Sequence, residues 1–226
     1  MKSGITPERR GGVIITDLVY DFRNESGVSL FIYTQKEGRI MQRIAAIDPK
    51  TATGKAKELL DAVQTKLGAT PNIVRTMANS PAVLEAYVNF GAALSKGALS
   101  AKLREQIALV VGETNGCAYC LAAHTAIGKK IGLSEGTILD SRRADSESSK
   151  EKAVLQFARD VVRTRGEVRD REVDHLRTLG FTDGEIAEVV ANVAINLFTN
   201  YFNHVARTEV DFPVAPRLAH APTCEC

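Results

Sequence analysis

A chain of 226 residues with 44% hydrophobic content is long enough for one well-buried core or two small ones, which excludes a predominantly disordered protein. Lys+Arg 29 against Asp+Glu 27 leaves a net charge of +2, so charge points to no nucleic-acid partner. No stretch approaches the roughly eighteen apolar residues of a membrane span, and the short run Val13, Ile14, Ile15 interrupted by Asp17 and Asp21 is no secretory signal, so the expectation is a cytoplasmic protein without a membrane partner.

Along the chain, residues 12–22 and 28–34 are β-branched and aromatic and are separated by the turn-like Arg23-Asn24-Glu25-Ser26-Gly27, which predicts a hairpin. Met41-Gln-Arg-Ile resembles a natural start, so residues 1–40 are read as an N-terminal extension outside the fold; the rival reading is an arm that packs on a neighbouring subunit. From there to residue 213 the periodicity is helical, and residues 214–226 form a tail. Helices are predicted over 53–67, stopping at Gly68, and from Ser80-Pro81 to about Leu94, with a cap followed by proline at the first helical position. Another opens at Ser100 and runs through Leu103, Ile107, Val110 and Val111. Asn115 is read as the cap of the next helix, which puts Cys117 in its first turn; Ser134 caps a short helix, and the polar run from Arg142 to Ser149 is read as a surface loop. Residues 150–165 and 169–179 give two more helices, and Thr182-Asp-Gly-Glu185 is a capping box that opens a long one to about Arg207. The expected fold is all-α with seven to eight helices.

The long last helix carries amides at Asn192, Asn196, Asn200 and Asn203, with Ile186, Val189, Val190, Val193, Leu197, Tyr201 and Val205 expected opposite them. Two readings of this row stand side by side: hydrogen bonds to neighbouring helices or subunits, or a polar wall of an active site with His204 beside it.

The chemistry-bearing motif is Cys117-Ala-Tyr119-Cys120-Leu-Ala-Ala-His124. Residues three and four apart share a helix face, so two sulfurs and an imidazole fall together, the equipment for thiol redox chemistry or for holding a metal. In a reducing compartment a close cysteine pair is more often catalytic or metal-binding than structural. An ordinary thiol, with a pKa of about 8.5, must be favoured by about 3 kcal/mol to work as a thiolate at neutral pH. A helix N-terminus typically supplies about 0.3–1 kcal/mol, so a base has to share the task, and His124 is the candidate, with Glu105 or Glu113 to orient it. Haem attachment is disfavoured because Leu121, not histidine, follows Cys120, and no βαβ pattern supports a thioredoxin-like site. A zinc site built from Cys117, Cys120, His124 and Glu113 or Glu105 stays open on the residues alone.

The segment from Leu103-Arg-Glu105-Gln-Ile-Ala-Leu to His124 resembles the AhpD-like alkylhydroperoxidase branch of the carboxymuconolactone decarboxylase family. The flanking Gly68-Ala-Thr-Pro-Asn72 and the stretch from Asn200-Tyr-Phe-Asn-His204 through Asp211-Phe-Pro213 look like its peroxidase-related subgroup. The resemblance implies an AhpD-like helical bundle, assembly as a homotrimer or homohexamer, and reduction of organic hydroperoxides. By that pattern Cys120 is the peroxidatic cysteine, Cys117 resolves it as a disulfide, and His124 with Glu105 forms the proton relay. The implied partners are a hydroperoxide substrate and a dithiol or thioredoxin-like reductant; no bound cofactor or metal is required by this chemistry. One departure stands out: the family's best-known peroxidases carry histidine immediately before the second cysteine, where this chain has Tyr119, a phenol and a poor base at neutral pH. Glu113, Tyr119 and His204 are supporting candidates. The family's decarboxylase activity and a non-catalytic metal or redox sensor are the alternative functions. Cys224 and Cys226 in the tail are read either as a frayed terminus or as an extra resolving or shuttling dithiol, and His175 and His220 as surface residues.

Overall fold

The computed structural model describes residues 42–218 and the backbone of 21–23 and 29–31. The hairpin expected near the N-terminus is present as two short antiparallel strands, β1 (Asp21–Arg23) and β2 (Ser29–Phe31), in the register Asp21↔Phe31, Phe22↔Leu30, Arg23↔Ser29. It belongs to a unit ending at Ile40, and the helices belong to a second unit beginning at Met41. His220, Cys224 and Cys226 lie outside the described residues.

Nine helices stand among the described residues: α1 (Gly54–Leu67), α2 (Asn72–Met77), α3 (Pro81–Leu94), α4 (Ala101–Thr114), α5 (Ala118–Lys130), α6 (Glu135–Arg142), α7 (Ser149–Thr164), α8 (Asp170–Thr178) and α9 (Asp183–Ala206). The all-α expectation holds; the helix beyond the seven or eight expected is α2, six residues long and too short to show a period. None of the nine is long and apolar enough to cross a membrane. The predicted boundaries follow their caps: Ser100, Ser134 and Thr182 accept from backbone N–H groups of the first turn, and Thr182 with Glu185 forms the full capping box. Arg142 departs from expectation: it ends α6, is only 5% exposed, and its Nε donates to Glu113 Oε2 at 2.8 Å. A guanidinium finds that depth only with a charged partner, which its place in a polar run does not reveal.

Two large apolar clusters organise the bundle, and a small third one joins Leu109, Leu133 and Ile138. Helix α4 packs against α5, α6, α7 and α9, and its stretch from Ile107 to Val111 is apolar on every side, with Ile107, Leu109, Val110 and Val111 essentially inaccessible. Ile107, Val110 and Val111 join Val154, Leu155 and Phe157 of α7 and Val189 and Val193 of α9 in the larger cluster. The second gathers Leu60 and Val63 of α1, Ile73 and Met77 of α2 and Leu84 of α3 around Cys117, Tyr119 and Cys120. The motif is therefore part of a core.

The turn between α4 and α5 explains how. Gly116 adopts a left-handed φ of 64°, its N–H bonds to Glu113 C=O at 3.0 Å, and the Cys117 N–H bonds to Gly112 C=O at 2.9 Å. This paired arrangement closes a helix C-terminus in two residues. Asn115 is accordingly the last cap of α4 rather than the first of α5, and Cys117 itself is the N-cap of α5. The amide row of α9 also differs from expectation. Asn192, Asn196, Asn200 and Asn203 are buried alongside Ile186, Val189 and Val193, while Val190, Tyr201 and Val205 face outward.

Replacing Ile107 with alanine should lower the unfolding free energy by about 2–5 kcal/mol in urea titrations. Gly116→Ala meets no neighbour within 4 Å of the added Cβ, so its loss should be the backbone strain alone, about 1–2 kcal/mol.

Candidate active site

Because Cys117 caps α5, its Sγ accepts the N–H of Cys120 at 3.3 Å, and the two sulfurs sit 2.6 Å apart as free thiols. Both residues are buried, at 1% and 3% exposure. One turn along α5, His124 Nδ1 lies 2.5 Å from Glu105 Oε1 on α4. The short turn makes that pairing, since it folds α5 back along α4 and places a residue from each in register. From α9, Asn203 Nδ2 donates to Cys120 Sγ at 3.3 Å, while Asn200 Oδ1 accepts from Asn115 Nδ2 at 2.9 Å.

These contacts decide which sulfur carries charge. The Cys120 thiol is held below the ordinary thiol range, chiefly by the hydrogen bond from Cys117; burial opposes the shift, and the positive His124 and the Asn203 amide assist it. Cys117 is driven the other way by donating to Cys120, by burial and by the negative charge it faces. Burial pushes the His124 imidazole down, yet the Glu105 carboxylate, followed by Cys120, outweighs it and the net direction is up. Glu105 and Cys120 thus both favour the protonated form of His124, and His124 in turn favours the Cys120 thiolate.

Cys120, and not Cys117, lines a cavity of about 230 Å³ whose walls are mostly apolar: Val63, Val74, Tyr87, Ile127, Ile195 and Phe212 are among them. His124 and Asn203 are the polar groups beside the sulfur, and Lys66 is the other charged side chain on the lining. His124 and Tyr87 also line a second cavity of about 130 Å³, where Arg104, Glu105, Asn192 and Asn196 supply a polar wall. Tyr87, with its pKa pushed up to about 12 by burial and then by the charges of Cys120 and Glu105, is a neutral phenol in both.

Tyr119 is buried, and its hydroxyl donates to Asp211 Oδ1 at 2.7 Å while accepting the Ile73 N–H at 3.2 Å. Burial, against the Ile73 N–H and with the Asp211 carboxylate adding to it, drives its pKa upward, so it is a fixed donor and not a base. The other oxygen of Asp211 accepts the Asn72 N–H at 2.7 Å, and the ring of Tyr119 meets Phe212 edge-on at 5.7 Å. The segment after α9 is thereby pinned over α2 and α5 and gives the cavity one of its walls.

Of the supporting candidates, the structure brings Tyr119 to the cavity but not the other two. Glu113 is committed to Arg142, and His204 lies on the exposed side of α9, one residue from Asn203 but facing solvent. His175 is likewise exposed. No group of three or more His, Cys, Asp or Glu side chains is arranged to hold a metal ion among the described residues. Of the amide row read as a possible polar wall, Asn203 reaches the cavity and the Cys120 sulfur. Tyr87 and Asp211 carry no assigned role in the sequence; Asp211 sits in a segment of the family resemblance, and nothing local marks Tyr87.

Residues 81–160, from the start of α3 into α7, match the carboxymuconolactone decarboxylase family. Among solved structures the chain is similar to an uncharacterized peroxidase-related protein from Silicibacter sp. TM1040, at 22% identity and TM-score 0.68, covering 78% of this chain and 95% of that one. It is also similar to an alkylhydroperoxidase AhpD core, an uncharacterized peroxidase-related protein from Ralstonia eutropha JMP134, at 25% identity and TM-score 0.67, covering 75% and 92%. The debrominase Bmp8 in complex with 2,3,4-tribromopyrrole shares the fold at 18% identity and TM-score 0.66, covering 76% and 93%. No curated protein matches the chain.

In the dithiol form, alkylation of Cys120 should rise through a midpoint below about 8.5, the ordinary thiol value, while Cys117 stays unlabelled over the same range. Glu105→Gln removes the largest influence raising His124 and leaves burial, so the imidazole titration should move down and the Cys120 midpoint up. Peptide mapping of the label against pH, with NMR titration of His124, checks both directions.

Proposed function

We propose that this member of the carboxymuconolactone decarboxylase family, matched over residues 81–160, is a thiol-dependent peroxidase that reduces organic hydroperoxides with Cys120 and Cys117. One observation carries the reading: of two sulfurs in contact, only the one favoured as thiolate opens onto an apolar cavity. That is the arrangement required of an attacking sulfur backed by a resolving one.

The Cys120 thiolate attacks the terminal oxygen of the hydroperoxide, the S–O bond forms and the O–O bond breaks. Cys120 becomes a sulfenic acid, and the alkoxide leaves with a proton from the His124 imidazolium. Glu105 holds that imidazolium charged before transfer, and the polar second cavity on its side gives the relay a route to bulk protons. The Cys117 thiol then attacks the sulfenic sulfur, an S–S bond forms and water leaves. Two thiols and one ROOH thus give a disulfide, ROH and water, and a dithiol or thioredoxin-like reductant restores the pair. The apolar walls favour an organic peroxide over a strongly hydrated one. Assembly as a homotrimer or homohexamer is supported by the apolar ridge that Val190, Phe198, Tyr201 and Val205 expose along α9. A cytoplasmic location fits a site that must be returned to the dithiol after each turnover. Tyr119, fixed as a phenol, takes the place of a second base without supplying one, so proton handling rests on His124 and Glu105.

A dithiol can also deliver two electrons to a carbon–halogen bond, and the fold shared with a debrominase makes a small halogenated heteroaromatic the second substrate to try. One equivalent of cumene hydroperoxide should remove two hydrogens from the peptide carrying Cys117 and Cys120, read by mass spectrometry. Cys120→Ser should abolish peroxide consumption driven by dithiothreitol. A variant that turns over like the parent, or a parent that consumes tribromopyrrole and no peroxide, would replace this reading.

A further inference from the structure

Four amides line α9, and they are not equivalent. Asn192 and Asn196 turn their Nδ2 groups back to their own helix, onto Glu188 C=O and Asn192 C=O at 2.8 Å each. Asn200 accepts from Asn115 through Oδ1, and its amide also favours the Cys120 thiolate, but it does not line the cavity. Asn203 alone in this row both touches a cysteine sulfur and lines the apolar cavity. Its orientation is fixed by chemistry: a thiolate only accepts, so Nδ2 must face Cys120 Sγ. With the nitrogen so committed, Oδ1 is turned away from the sulfur, and it is buried with no hydrogen-bond partner. The residue as a whole is 4% exposed. A buried carbonyl oxygen without a donor is unfavourable, and such an atom beside a reacting centre marks where a ligand's donor belongs.

A hydroperoxide has one donor, the O–H on the oxygen that a thiolate attacks. We propose that Asn203 is a catalytic residue whose Oδ1 accepts this O–H while its Nδ2 holds the Cys120 sulfur, so that one amide aligns nucleophile and electrophile. The proposal rests on the peroxidase reading and adds to it the group that orients the peroxide.

The proton bookkeeping suits an acceptor at this place. When the S–O bond forms and the O–O bond breaks, the hydrogen stays on the attacked oxygen and becomes the sulfenic O–H. The proton needed by the leaving alkoxide comes from His124. The contact to Oδ1 is therefore kept from bound peroxide to sulfenic acid, and no proton passes through Asn203. An amide suits this role better than a carboxylate, which would set a negative charge against the thiolate.

The test separates the two ends of the amide. For the full chain in its dithiol form, the rate of Cys120 oxidation by cumene hydroperoxide and of its alkylation by iodomethane, which presents no hydrogen-bond donor, are each followed against pH to their plateaus. Loss of Nδ2 in Asn203→Ala should move both midpoints upward together. Loss of Oδ1 should lower the peroxide plateau about tenfold or more, the size expected for a hydrogen bond at a reacting centre, and change the alkylation plateau less than about threefold. Equal loss of both plateaus in Asn203→Ala, or an unchanged peroxide plateau, would each overturn the assignment. An unmodified protein that alkylates normally but never consumes peroxide would instead overturn the peroxidase reading itself.

Discussion

Burying a thiolate is the constraint on which this bundle turns. A charged sulfur taken out of water is unfavourable by several kcal/mol unless donors and a counter-charge are waiting for it, and helix position supplies about 1 kcal/mol of that. Cys120 is 3% exposed, so the remainder must come from the surroundings. Each of three helices contributes. Helix α5 brings the Cys117 thiol and His124, α4 brings the carboxylate that favours a protonated His124, and α9 brings the Asn203 amide. The two large apolar clusters hold these helices in fixed relation, so the packing of α4 against both α5 and α9 has a chemical role as well as a structural one.

The same constraint accounts for the tight turn at Gly116. A longer connection between α4 and α5 would let α5 pivot, and a buried ion pair such as Glu105 with His124 contributes only when its geometry is kept. Closing α4 with Gly116 and capping α5 with Cys117 leaves no slack between them. The sulfur acts twice in that turn, as a helix cap through its contact with the Cys120 N–H and as a donor to Cys120 itself. Tyr119, between the two cysteines, points away from the sulfurs to Asp211 and serves the wall of the cavity.

What was legible in the sequence was what local geometry fixes. Cysteines three apart and a histidine four further on must share a face of α5, and the caps at Ser100, Ser134 and Thr182 announce themselves by residue type. Glu105 was within reach because α4 and α5 are consecutive and antiparallel, and the family resemblance named it. The rest depends on contacts across long separations. Asn203 meets Cys120 from 83 positions away and Asp211 meets Tyr119 from 92, and no periodicity encodes such pairs. The amide row on α9 was visible, but a row of identical residues could not show that two of its members bond to their own helix while one reaches a sulfur. The burial of Arg142 is hidden in the sequence for a related reason: its partner, Glu113, lies two helices upstream. Asparagine serves either end of a helix, so Asn115 alone does not say which element it caps, and only the left-handed Gly116 decides it.

The long reach from α9 has a consequence for the order in which the molecule comes into being. Synthesis runs from the N-terminus, and domains gather as their parts emerge. The cysteines emerge more than eighty residues ahead of the amide that touches Cys120 and ahead of Phe212, which walls the cavity. A nascent chain that has formed only α1 to α5 holds both sulfurs without the α9 donor, and its Cys120 is a less acidic thiol. The donor that favours the Cys120 thiolate thus arrives only after the scaffold that carries both sulfurs.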